Sequence, residues 1–203
     1  MKKIATLLLS LLFALHAMLL TGCAIRPTES ATLYDLGPLH TKQSGTLPAL
    51  PPLSVADIQV PAWLDSTMFY FRLNYANDQQ PRPYAHARWI EPPGQLLVQQ
   101  LKSRIAQAGG IVLPASDGAI NIPVLRIEAD DFTQYFEAPG RSTARVGLRA
   151  AVYRGRVLVA QKSLSHEAPA PSADAAGGAK ALAAASDAAI SDLIMWLGTL
   201  NLK

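Results

Sequence analysis

The residue with the clearest chemistry is a thiol. Cys23 is the only cysteine among 203 residues, and it closes the run Leu20-Thr21-Gly22-Cys23. Leucine, a small residue, glycine and cysteine in that order form the lipobox of bacterial lipoproteins. The small residues admit the chain to the lipidating and cleaving enzymes, and the thiol is the nucleophile that becomes a thioether to diacylglycerol. What precedes Cys23 agrees with this. Lys2 and Lys3 give a positive start, and the stretch from Ile4 to Leu20 is apolar except for Thr6, Ser10 and His16, which is the build of a secretory signal peptide. Roughly 20 apolar residues would also cross a bilayer, but the lipobox ending favours cleavage over a membrane span. The expected organisation is a signal peptide over 1–22, a lipidated tether over 23–31 and a single domain over 32–203. Ala24, not an aspartate, follows the cysteine, which favours the periplasmic face of the outer membrane. Several acyl chains on one cysteine anchor a protein that a single chain would hold only marginally.

Other chemistry is sparse. One cysteine excludes an internal disulfide and a multi-thiolate zinc site. His16, His40, His86 and His166 share no ligand-like spacing, so neither a metal nor a cofactor is expected. His86 and His166 are each capable of acting as a base, but no nucleophile motif accompanies them, and surface or hydrogen-bonded histidines are the plainer reading. The chain has no Gly-x-Ser-x-Gly elbow, no glycine-rich phosphate loop and no His-Glu-x-x-His. Asp130-Asp131 is an adjacent carboxylate pair, but neighbours on a strand point to opposite faces. They share neither a proton nor a metal unless a bulge turns them together, and no catalytic residue is expected.

Recognition is better represented. Arg126, Arg145 and Arg149 are spaced to share one face of neighbouring strands. They would line an anionic-headgroup site or, more simply, form a solvated face paired with Glu128 and Asp130. Trp63 and Asp65, in Val60-Pro61-Ala62-Trp63-Leu64-Asp65, mark a strand-to-turn corner. Tryptophan and arginine often anchor interfaces, so Trp63, Asp65, Arg145 and Arg149 are the candidate partner contacts.

Composition limits what these residues serve. Half the chain is apolar and 16% is charged, the balance of a folded domain and not of a disordered one. The formal charge of +3 is largely a targeting signal. Removing residues 1–22 takes two lysines away and leaves 16 basic against 15 acidic residues. A nearly neutral chain lacks the electrostatic footprint of a nucleic-acid binder.

The elements that must position these residues read as an α/β (α+β) domain. Residues 33–36 suit a short strand, ended by Gly37-Pro38, and the proline-bearing stretch to Pro52 suits a loop. Leu53–Val60 and Met68–Leu73 suit strands, and Asn77–Pro83 a turn or loop. After Pro92-Pro93-Gly94, the spacing of Leu97, Leu101, Ile105 and Ala108 predicts a helix, with Gln99 and Ser103 on its wet side, ended by Gly109-Gly110. Ile111–Leu113 would be a short strand before a turn at Ser116-Asp117-Gly118. Residues 122–166 alternate as an antiparallel meander with turns at Pro139-Gly140 and Arg154-Gly155. The alanine-rich stretch from 168 begins as a linker containing Gly177-Gly178. It continues as a helix with the stripe Leu182, Ala185, Ala189, Leu193 and Leu197. The expected architecture is a mostly antiparallel sheet with two principal helices packed on one face.

The ordered set of a lipobox, Tyr34-Asp35-Leu36, Val60-Pro61-x-x-Leu64-Asp65, Tyr70-x-Arg72 and Trp89-x-Glu91-Pro92 opening a leucine-rich helix resembles the ABC-type transport auxiliary lipoprotein family. That family includes the Pqi-type intermembrane transport lipoprotein. The resemblance runs from about residue 23 to the C-terminus and is strongest over 33–108. It implies a non-enzymatic outer-membrane component that works with an MCE-domain periplasmic protein and its inner-membrane ABC transporter to move phospholipid, with self-association compatible. The alternative is a structural or assembly lipoprotein acting on outer-membrane proteins or lipopolysaccharide, and a periplasmic hydrolase is a third reading disfavoured by the missing motifs.

Overall fold

A computed structural model of the chain describes residues 30–39, 47–113 and 122–202. The expected signal peptide, Cys23, most of the expected tether, His40 and the turn expected at Ser116-Asp117-Gly118 lie outside the described residues. Within them the elements run β1 (Thr32–Tyr34), β2 (Leu53–Val55), β3 (Met68–Leu73), β4 (Asn77–Trp89), α1 (Pro93–Gln107), β5 (Val112–Leu113), β6 (Val124–Ala138), β7 (Arg141–Arg154), β8 (Val157–Pro169) and α2 (Ala175–Gly198).

The long strands follow their alternation. Leu125, Ile127 and Ala129 of β6 and Val146, Leu148, Ala150 and Val152 of β7 are buried, while Arg126, Glu128 and Arg149 between them are exposed. β6, β7 and β8 pair antiparallel as expected. Their reversals place Gly140 and Gly155 at φ of 80° and 60°, a region glycine enters without a Cβ penalty.

The sheet as a whole corrects the expectation: it is mixed and not mostly antiparallel. β6 receives β7 on one edge. On its other edge it receives two parallel arms, β3 against Gln134–Phe136 and β2 against Val124–Leu125. β5 continues parallel from β2, and β1 lies parallel on β4. These parallel ladders are two or three residues long, too short to imprint a hydrophobic period. β4 is a further departure, because Asn77–Pro83 is not a loop but the first half of a strand antiparallel to β3. β1 pairs with Ala87–Trp89 alone, so the upstream half of β4 is a sheet edge. There, exposed polar residues and Pro81 and Pro83 are tolerated because no neighbour needs their N–H groups. The predicted Leu53–Val60 strand stops at Val55 and resumes as a single bridge from Gln59 to Glu128.

Both helices bear out their stripes. In α1, Leu97, Leu101 and Ile105 are buried, and Gln99 is exposed. Pro93 occupies the first turn, where a missing N–H costs nothing. Gly94 lets this end sit on the β2–β3 connection, since a Cβ there would lie 2.8 Å from the Ile58 carbonyl oxygen. α2 begins earlier than the composition suggests. Asp174 caps it, its Oδ1 accepting from the Gly177 N–H at 2.7 Å, so Gly177 and Gly178 are helical and not linker. Gly178 is where α2 meets the Gln134 side chain of β6, and a Cβ would collide with it. By length and composition α2 would also cross a membrane, yet Leu182, Ile190, Leu193, Ile194 and Leu197 are buried in one core with the α1 stripe and the sheet. Trp89 joins that core, stacked on Phe69 at 4.4 Å between ring centroids and edge-on to Phe132 at 5.3 Å.

One charged pair is inside. Arg104 of α1 donates through Nε to Asp187 Oδ1 of α2 at 2.8 Å, and Nη2 makes a second contact to the same oxygen. Both residues are over nine-tenths buried. Arg104 lies one turn beyond Leu101 on the helix, and the stripe pattern leaves its partner invisible.

Candidate functional site

The helix-free face of the sheet gathers two of the predicted interface residues into one row. On β3, Phe69 points to the core while Tyr70 and Arg72 take the opposite face, because side chains alternate along a strand. The turn over Pro61–Asp65 closes with hydrogen bonds from the Leu64 and Asp65 N–H groups to the Pro61 carbonyl. It brings Trp63 edge-on to Tyr70 at 5.2 Å. The Arg72 guanidinium lies over the Trp63 ring, 5.5 Å from its centroid, and its Nη1 donates to the Asp78 carbonyl at 2.8 Å. Parallel pairing sets Arg72 beside Tyr135 of β6, and the Arg145 guanidinium covers Tyr135 at 4.7 Å. The row therefore reads Trp63, Arg72, Tyr135, Arg145, alternating ring and cation across three strands.

Carboxylates edge this row. Arg145 donates through Nε to Glu167 Oε1 at 2.7 Å and lies 4.0 Å from Asp131 Oδ2. Tyr135 donates its hydroxyl to Asp131 Oδ2 at 2.8 Å. Burial raises the Asp131 carboxyl above its ordinary range, opposed by hydrogen bonds from Tyr135 and Thr133 and by the Arg145 and Arg72 cations. Burial and the adjacent Asp131 together push the Tyr135 hydroxyl up to about 12, so it is a donor at any physiological pH.

The remaining candidates lie apart from the row. Arg149 donates to Glu128 Oε2 at 2.7 Å and to Asp130 Oδ2 at 3.4 Å, the pairing expected of a solvated face. Arg126 stacks on Tyr153 at 5.1 Å instead of joining the other arginines. Asp65 lines a separate polar hollow of about 230 Å³ with Asp57, Gln59 and Gln95. His166 Nε2 meets Asp192 Oδ2 at 2.9 Å. Asp130-Asp131 sits at a β-bulge: Ala129 pairs with Leu148 and Asp131 with Gly147, leaving Asp130 extra. The bulge turns both carboxylates to the outer face, each to its own arginine. Among the described residues no group of three or more His, Cys, Asp or Glu is placed to hold a metal ion. Four carboxylates (Glu128, Asp130, Asp131 and Glu167) balance Arg72, Arg145 and Arg149, so this face is not a strong anion site.

Arg72 and Tyr135 are the contributors that alternation alone does not single out, since the parallel β3–β6 pairing joins residues 63 apart. The fragment Tyr70-x-Arg72 beside Trp63 is the one local signal for them.

The model of the ABC-type transport auxiliary lipoprotein component family matches residues 34–193. The chain belongs to this family. The match covers every strand of the row and both helices apart from the end of α2. Among solved structures, a Xanthomonas campestris protein of the DUF330 family superposes with a TM-score of 0.70 at 20% identity, over 82% of this chain and 95% of that one. A second, described as an uncharacterized protein, gives a TM-score of 0.62 at 14% identity, over 83% and 99%. At these identities the likeness is one of fold. No curated protein matches. Cys23 precedes both the matched and the described residues.

Proposed function

We propose that this auxiliary lipoprotein is a non-enzymatic part of an intermembrane phospholipid-transport system. Anchored through Cys23 at the periplasmic face of the outer membrane, it receives an MCE-domain protein served by an inner-membrane ABC transporter. The observation that carries this reading is the Trp63–Arg72–Tyr135–Arg145 row. Guanidinium groups lie over rings on a helix-free sheet face, with carboxylates beside them. Such a surface suits a protein partner: interface cores favour aromatics and arginine and disfavour unbalanced charge.

The test is affinity purification of the full-length chain from membranes of its own host. The expected result is co-purification of an MCE-domain protein and an ABC ATPase, lost in the Trp63→Ala/Arg145→Ala double variant at unchanged protein level. Recovery of outer-membrane assembly or lipopolysaccharide machinery instead would overturn the transport reading. Unchanged recovery with the double variant would move the docking surface elsewhere. Cys23→Ala should release the chain from the outer-membrane fraction, and its retention there would refute the anchor.

A further inference from the structure

A groove of about 760 Å³ opens between the β1 segment and the two helices, on the other side of the sheet from the aromatic–arginine row. One wall is Leu33, Leu36 and Ile90; the other is the methyl face of Ala179, Ala183 and Ala184 on α2. Leu33 and Ile90 are 63% and 49% exposed, so two large apolar side chains border an apolar trough without a partner. At 1.5 Å of rise per residue, the helical stretch from Ala176 to Asp187 that lines the groove is about 16 Å long. The Arg104–Asp187 pair lies along it, internally neutralised. Asp35 is engaged by the Gly37 N–H, which donates to its Oδ1 at 2.8 Å. Lys180 is exposed on the same lining; among the described residues its charge acts on Asp174 without forming a direct ion pair. The volume falls within the range of small-molecule sites, which are mostly apolar with a few placed polar groups.

We propose that this groove holds one acyl chain of a membrane phospholipid, its phosphate facing Lys180. Charge complementarity selects the occupant: a mostly apolar trough with one exposed cation outside any ion pair on its lining suits a chain bearing an anionic head. A flat protein surface would not enter a trough whose wall is built of methyl groups. The choice of a phospholipid rests on the transport reading above, whereas the groove's preference for an acyl chain does not.

The experiment uses the full-length chain in its own cells, grown with radiolabelled phosphate. A photoreactive benzophenone amino acid replaces Ala184, or Ala176 as a second exposed groove position; Gln161, exposed on β8, is the control. Irradiation should give phosphate-labelled protein from the groove positions and background from Gln161. Ile90→Asp, at an exposed site, should return the groove signal to background with the melting temperature unchanged. Lys180→Glu should weaken it. Equal labelling at groove and control positions would overturn the proposal. So would a phosphate-free intramolecular cross-link to the lipid on Cys23, because the thioether diacylglycerol carries no phosphate. A chain that supports lipid traffic but takes no label sinks the groove and spares the transport reading. A labelled chain whose deletion leaves lipid traffic unchanged does the reverse.

Discussion

The two faces of β6, β7 and β8 are made from alternate residues of the same strands, yet different physics holds them. The inner face is Leu125, Ile127, Val146, Leu148 and Val152 pressed against alanines and leucines of α2, with its polar contacts confined to specific pairs. On the outer face, Arg145 and Arg149 have side chains 39% and 46% exposed and pair with the half-exposed Glu167 and Glu128, while Arg145 also lies 4.0 Å from the more buried Asp131. Burial of an apolar side chain contributes about 1.5–3 kcal/mol, while an exposed ion pair contributes about 0–1 kcal/mol. Stability therefore resides inside, and the outer face is free to be specified by whatever docks on it.

The largest expected effect tests the buried ion pair among the inner polar contacts. Asp187→Ala leaves Arg104 buried without its carboxylate, and removing one member of a buried pair costs about 3–5 kcal/mol. Urea unfolding should show the loss, and a cost below about 1 kcal/mol would mean that water reaches Arg104 from the groove and that the pair behaves as a surface one. Leu101→Ala follows: it vacates a fully buried site on α1 at a cost of about 2–5 kcal/mol, a large part of the stability of a domain this size. Gln99→Ala on the wet side should leave the melting temperature unchanged, and equal shifts would dissolve the distinction between the two sides of the helix.

Arg149→Ala should cost no more than about 1 kcal/mol. A larger loss on thermal melting would make the outer face structural and weaken its claim as a docking surface. The smallest effect is a slope. Burial raises the Asp131 carboxyl in the folded state, so the native protein holds that proton more tightly than the unfolded chain does. Its contribution to stability is complete below the ordinary aspartate range and is lost as pH rises through the elevated folded value. Melts across the acidic range should show this decline in the wild type and its absence in Asp131→Asn. A decline that persists in the variant would assign it to another group.

Legibility in the sequence tracked periodicity. The β6–β8 meander, the α1 stripe and the α2 stripe each repeat a pattern over a dozen residues or more, and each lies where the pattern puts it. β4 was hidden because an edge strand buries neither face fully, so Asn77–Gln80 carry no apolar alternation and the prolines resemble a turn. Gly177 and Gly178 resemble a linker because glycine is a poor helix former, but they lie in a helix capped by Asp174. Glycine is needed there because Ser172 leaves no room for a Cβ at 177 and Gln134 none at 178. The Asp130–Asp131 bulge is equally silent: one inserted residue reverses facing, and nothing local announces it.

What the sequence determined by itself is whatever depends on neighbours along the chain: the Leu-Thr-Gly-Cys run ending at Cys23, the near-neutral charge beyond it, the strand and helix periods, and the glycine-marked end of α1. What tertiary structure alone decided is which distant residues meet. Arg72 reaches Tyr135, Arg104 finds Asp187, and Leu33 faces Ala183 across the groove because short parallel ladders and helix packing bring those segments together. Such contacts depend on chain closure over 60 to 150 residues, whose entropy is recovered by the shared core and leaves no spacing to read. The outer face became a row because β3 docks on β6, and the inner side acquired a groove because the β1 segment meets the two helices.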